Sequence, residues 1–154
     1  ALFIRHGGGR ILLVASSAGA APGVPGVACY AASKSFLRSL TAGVGAELRA
    51  AQLGITVTCA MPGAVDTEFA ANSGLEVAPV FSLPGVRTFG GIVLSAERAA
   101  SIMMRATLRG QREIVPGLLP RAYVGLTDWH LLPARASRAL ASFSFCGGGS
   151  VKKS

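Results

Sequence analysis

Residues Gly9–Gly19 read GRILLVASSAG, and this stretch sets the architecture of the chain. Arg10 to Ala15 is a mostly apolar run with glycine before it and serine after it. A run this short, rich in aliphatic side chains and bounded by turn-forming residues, reads as a strand buried on both faces, as in a parallel sheet. The following residues, Ser16 to Gly26, read as a loop rich in Gly, Ala and Pro. On the other side, Ala1 to His6 reads as the end of a helix cut from a longer chain, stopped by Gly7-Gly8-Gly9.

Further along, the period changes. From about Ala28 to Leu53 the pattern is helical, with Phe36, Leu40, Val44 and Leu48 recurring every four residues as one apolar stripe. Gly43 and Gly45 lie inside this helix, each costing ~1 kcal/mol relative to Ala, and such small residues favour the close approach of another helix. The stripe is therefore expected to pack in a helix–helix contact. Gly54 ends the helix, Ile55 to Ala60 (ITVTCA) reads as a second strand, and Met61-Pro62-Gly63 closes it. Strand, helix and strand with short joints form a βαβ unit, which predicts an α/β fold around a parallel sheet.

The second half is less regular. Residues 64–95 read as a long loop of the kind that forms a binding lid. It carries Phe69, Leu75, Val80, Phe81, Leu83 and Phe89, which suit the walls of a site for an apolar small molecule, or else a plug of the pocket or packing on the core. Ser95 caps a predicted helix from Ala96 to Arg109, with Glu97 near its positive end and Gly110 as its stop. Arg112 to Pro116 (REIVP) predicts a third strand, and residues 118–145 predict one or two amphipathic helices broken by Pro120 and Pro133. Residues 1–145 thus form one folded unit, and residues 146–154 a flexible tail.

Bulk composition narrows the functional classes. The chain is 51% hydrophobic and 14% charged, which excludes disorder. Its net charge of +8 is uneven: residues 1–85 hold five basic and four acidic side chains, residues 86–154 ten and three. The reading preferred for this excess is a solvated arginine-rich surface, with no nucleic-acid partner. Cys29, Cys59 and Cys146 form no CxxC pair and no metal spacing, so no metal site is expected. Reduced, buried thiols and an intracellular, cytoplasmic compartment are expected instead. The uncharged stretch from Ile11 to Ser33 is broken by Pro22, Pro25 and several glycines, so it makes a poor membrane span. His6 and His130 have no partner at a catalytic spacing. Trp129 and His130 are read as helix packing against the core in preference to a membrane-surface contact.

One constellation carries chemistry. Tyr30-Ala31-Ala32-Ser33-Lys34 puts a phenol and an amine four residues apart, on one helix face. Ser17 precedes Tyr30 by thirteen residues and lies just past the C-terminal end of a predicted strand. Ligands of open α/β sheets bind there. Tyr30 is the candidate general acid or base. A free phenol, with a pKa of ~10, is a poor base near neutrality. A lysine ammonium ~4 Å away, at an effective dielectric of ~20, favours the phenolate by ~4 kcal/mol. Taken singly, Ser17 also reads as a turn cap and Tyr30 as a half-buried aromatic.

Together, GRILLVASSAG, Tyr30-xxx-Lys34 and ITVTCAMPGAVDT (Ile55–Thr67) resemble the single-domain short-chain dehydrogenases/reductases. The resemblance covers about residues 7–70 closely and runs more loosely to about residue 140. It implies the C-terminal half of a Rossmann-like fold and an oxidoreductase that interconverts a carbonyl and an alcohol with NAD or NADP. It implies a catalytic trio of Ser17, Tyr30 and Lys34, Ser17 rather than Ser16 by its spacing to Tyr30. Tyr30, Lys34, Pro62, Gly63 and Thr67 become cofactor-binding residues, Lys34 at the nicotinamide ribose and Thr67 at the carboxamide or pyrophosphate. It also implies a homo-oligomer in the full-length form. Neither GxxxGxG nor GxGxxG follows a strand near the start, and the family's upstream catalytic Asn is missing. The chain therefore reads as a fragment that is inactive alone. Two other readings stand beside this one: a non-catalytic interaction module, and a peripheral membrane-associated domain using the basic C-terminal region.

Overall fold

The two apolar runs pair side by side. In the computed structural model, which describes residues 2–21, 23, 26–68 and 93–146 (residues 141–146 as backbone), β1 (Gly9–Val14) and β2 (Ile55–Ala60) are parallel. Their register runs from Gly9 opposite Ile55 to Val14 opposite Ala60. A parallel pair needs a long crossover, and α2 (Ala28–Ala50) supplies it. A short β5 (Glu113–Ile114) joins the other side of β2, with Cys59 opposite Glu113, to give the order β1-β2-β5. The fold is α/β with a parallel sheet and flanking helices, as the sequence predicts. A short α1 (Leu2–Arg5) precedes it and ends at Gly7, whose φ is +73°.

β2 is the covered strand. Successive side chains of a strand point to opposite faces, and both sets are buried: Ile55, Val57 and Cys59 on one side, Thr58 and Ala60 on the other. Cys59 faces α2, sharing a cluster with Leu37. Thr58 Oγ1 donates to the carbonyl of Gln111, just beyond α3 (Ala96–Leu108). β1 departs from expectation. It is the outer strand, its side chains are half-buried at most, and Val14 is exposed. Burial on both faces requires neighbours on both faces, and an edge strand has fewer.

The apolar stripe of α2 is divided between the two sides of the helix. The side toward the sheet carries Ala31, Thr41 and Gly45, all buried, together with Lys34 and Arg38. Phe36 and Leu40 point outward, 66% and 42% exposed, while Val44 and Leu48 are half-buried. Small side chains on the inner side let the helix settle close to the strands.

Residues 64–95 are not irregular at their ends. β3 (Ala64–Asp66) and β4 (Val93–Ser95) form a separate parallel pair. The apolar lid residues Phe69, Leu75, Val80, Phe81, Leu83 and Phe89 lie outside the described residues. Ser95 caps α3 as expected, its Oγ accepting the N–H of Arg98 at 3.3 Å. Gly110, with φ +67°, follows its end. β5 is shorter than the predicted strand; Pro116, which has no N–H, follows closely.

α4 (Leu118–Asp128) and α5 (Ala134–Cys146) complete the chain. Pro120 does not break α4. It lies in the first turn, where no intrahelical donor is needed. Pro133 does separate the two helices, and its carbonyl accepts the N–H of Ser137 at 3.0 Å. Two further expectations fail. Trp129 does not pack on the core; it is 78% exposed, and His130 beside it is exposed as well. Of the thiols, Cys59 is buried but Cys29 is exposed. The side chain of Cys146 lies outside the described residues.

Candidate active site

The chain leaves β1 through two adjacent serines with different duties. Ser16 is extended, with φ −163°, and its Oγ accepts the N–H of Ala18 at 3.2 Å, capping a 3-10 helix over Ser17–Ala20. Ser17 opens that turn and is buried; its backbone N–H donates to the carbonyl of Pro62 at 2.9 Å. The turn after β1 is thereby tied to the turn after β2. The cap is Ser16, which leaves the Ser17 hydroxyl outside the capping interaction.

α2 brings Tyr30 and Lys34 to the same place. Tyr30 is half-buried against the cluster of Ala18, Val27 and Ala31. Lys34, one turn later, donates from Nζ to the carbonyl of Val14, the last residue of β1, at 3.2 Å. Its ammonium also stands over the Tyr30 ring, 5.5 Å from the centroid, within cation–π range. Gly19 makes this assembly compact. A β-carbon there would lie 2.8 Å from the Lys34 carbonyl carbon and 2.9 Å from the Ser35 nitrogen. The serine turn thus rests directly on the Lys34–Ser35 peptide.

Pro62 and Gly63 continue from the C-terminal end of β2, half-buried. A β-carbon on Gly63 would overlap the ring of Pro120, so the first turn of α4 sits on this glycine. Below it, Met61 and Val124 share a buried cluster with Ala15 and Cys59. Thr67 is carried by different backbone. It is exposed directly after β3, in the smaller sheet. The structure therefore joins Ser17, Pro62, Tyr30 and Lys34 around the end of β1, with Gly63 next to Pro62 and Thr67 on a separate element.

The family model described as short chain dehydrogenase matches residues 1–77, half of the chain. The chain belongs to the short-chain dehydrogenases. It is similar to an uncharacterized oxidoreductase of Mycobacterium tuberculosis, with 39% identity over 98 residues, 63% of this chain and 36% of that one. It is also similar to a short-chain type dehydrogenase/reductase of Picea abies, 42% identical over 76 residues, 48% of this chain and 27% of that one. A short chain dehydrogenase from Burkholderia cenocepacia, solved in complex with NADP, aligns with a TM-score of 0.63 and 25% identity. That alignment covers 87% of this chain and 49% of that one. The chain spans about a third of the length of the curated relatives it matches.

In this short-chain dehydrogenase three contacts around the site are not marked by any sequence motif. The Val14 carbonyl that anchors Lys34 carries no residue-type signal, since every residue has one. The Pro120 ring over Gly63 joins positions far apart in the chain. The third is Arg38, one turn beyond Lys34 on the same side of α2. It pairs with Glu113 of β5 (Nε to Oε2, 2.9 Å) and with Asp128 at the end of α4 (Nη2 to Oδ2, 2.6 Å). The Asp128 hydrogen bond, ahead of that from Glu113, raises the Arg38 guanidinium above its ordinary range. The same bond holds the Asp128 carboxyl below the usual carboxylate range. A charged residue at the i+4 position of the Tyr–Lys face was the signal available for it.

Burial, followed by the negative charge of Glu113, pushes the Cys59 thiol up, so it behaves as a core side chain rather than a nucleophile. Among the described residues no group of three or more His, Cys, Asp or Glu could hold a metal ion.

Proposed function

We propose that the protein to which this chain belongs interconverts a carbonyl and an alcohol with NAD or NADP, using Tyr30 as the general acid or base. The observation that carries this reading is the position of Lys34, between the Val14 carbonyl and the Tyr30 ring, beside the turn that begins at Ser17. In the reducing direction Tyr30 Oη gives its proton to the substrate oxygen. Lys34 keeps a positive charge beside the ring as that proton leaves, and the Ser17 hydroxyl donates a hydrogen bond to the same oxygen. In the oxidising direction Tyr30 takes the proton back.

The donor set fits the nicotinamide end of a dinucleotide. Lys34 has three N–H donors and Val14 occupies one, leaving two for ribose hydroxyls. Pro62, Gly63 and Thr67 would border the ring and its carboxamide. When bound, the dinucleotide supplies hydride to the carbonyl carbon or accepts it from the alcohol. The glycine-rich turn that holds a pyrophosphate is not in this sequence. The chain by itself would therefore be inactive. The apolar residues between Phe69 and Phe89 support an apolar substrate, and the exposed Phe36 and Leu40 on α2 support a homo-oligomer of the longer protein.

The test is Tyr30→Phe in that longer protein. Turnover should fall by about 100-fold or more, the range of general acid–base catalysis, with circular dichroism and melting temperature unchanged. Near-normal turnover would overturn the mechanism.

A further inference from the structure

We infer that the outward side of α4 is a docking surface for an anionic phospholipid bilayer. At 3.6 residues per turn, Leu118, Leu119, Ala122, Leu126 and Trp129 fall within an arc of about 100° on one side of this helix. All of them are exposed, Leu118 by 72% and Trp129 by 78%. Leu131, also exposed, is held beside them through its N–H to the carbonyl of Leu126 at 3.0 Å. The opposite side of α4 already holds the helix to the body. Val124 is buried there, Tyr123 packs on both core clusters, and Tyr123 Oη lies 3.2 Å from Ser137 Oγ. The outward apolar side is therefore not needed to attach the helix.

Charge decides what covers it. Between Gly117 and Leu140 the sole carboxylate is Asp128, which is bound by Arg38. Arg121, Arg135 and Arg138 are exposed, and among the described residues no carboxylate pairs with them. A second copy docked on a two-fold axis would bring two segments with the same excess of positive charge together. A bilayer with anionic headgroups offers the complementary charge and takes up leucine and tryptophan side chains at its interface. Among the described residues no helix is long and apolar enough to cross a membrane, so α4 would lie in the plane of the interface.

Trp129 is the one tryptophan of the sequence and reports on the contact directly. The full chain is titrated with vesicles of phosphatidylcholine, with and without phosphatidylglycerol, while Trp129 emission is followed. The expected result is a blue shift of roughly 10 nm and at least about ten-fold stronger partition onto the anionic vesicles, weakened by added salt. Lipid-borne bromine should quench Trp129, a measurement that needs no variant. Leu118→Gln with Leu126→Gln should abolish the shift, and Arg121→Gln with Arg135→Gln should remove the preference for phosphatidylglycerol, with helicity retained in both. The inference is overturned if neither vesicle shifts or quenches the emission, or if the leucine variant binds like the parent. It is equally overturned if the shift appears without vesicles as protein concentration rises, which would identify a second copy as the occupant.

Discussion

The ammonium of Lys34 stands 5.5 Å from the centre of the Tyr30 ring while it donates to the last carbonyl of β1. The lysine is thus fixed between a backbone carbonyl and an aromatic ring. In a protein that also carries a dinucleotide-binding half, Lys34→Met should lower turnover by roughly 100-fold and weaken cofactor binding together, because one side chain would serve both tasks. Steady-state kinetics with the cofactor varied would check this. An effect on neither parameter would remove Lys34 from the site.

Gly19→Ala should act on the same assembly through packing. The added methyl would meet the Lys34–Ser35 peptide, which is backbone and cannot swing aside. Overpacking of this kind costs about 1–3 kcal/mol. Chemical denaturation should show that loss, and turnover of a protein that also carries a dinucleotide-binding half should fall although no functional side chain has changed. Unaltered stability would mean that the turn does not rest on α2.

The pairing of Arg38 with Asp128 predicts a pH dependence. The Asp128 carboxyl is depressed in the folded state, first by its hydrogen bond to Arg38. Its stabilisation is therefore complete above the unfolded carboxylate range, ~3.9, and fades as pH falls through the lower folded value. Both partners are partly exposed, so solvent screening limits the effect to on the order of 1 kcal/mol. Asp128→Asn should be destabilised by about that amount near pH 7, and the gap to the parent should narrow at an acidic pH below the ordinary carboxylate range, ~3.9. Denaturation midpoints at the two pH values test it; a gap that stays constant would show that the ion pair is not its source.

Much of this was legible in the residues, for definite reasons. β1, α2 and β2 are bounded by Gly9, Gly54 and Pro62, and their periods differ plainly. Tyr30 and Lys34 share a helix face by spacing alone. The orientation of α2 was not legible, because its sheet-facing side uses Ala31, Thr41 and Gly45 and leaves Phe36 and Leu40 outside. A hydrophobic pattern then points away from the core. β3 and β4 are three residues each, too short to show an alternation. The exposure of Trp129 likewise departs from what its amphipathic surroundings suggest, since either side of α4 could have been the inner one.

The chain alone should not bind NADH or NADPH with useful affinity. Its proposed cofactor residues would reach only the nicotinamide end, and the pyrophosphate of a dinucleotide is held by backbone N–H groups of a glycine-rich turn. Calorimetric titration should show no saturable binding at about 10 μM or tighter, a level that corresponds to a specific site. Such binding would reveal a cofactor site built from other residues of this chain.

The contact between Gly63 and the Pro120 ring has an evolutionary consequence. Position 63 cannot gain a side chain while Pro120 stays. A side chain at position 63 would overlap the proline ring, so a homologue that acquires one must shrink position 120 or lift the first turn of α4 away. The reverse order is easier, because losing the ring first opens the space without a clash. Substitution histories at the two positions should therefore be correlated and ordered, with change at 120 preceding change at 63.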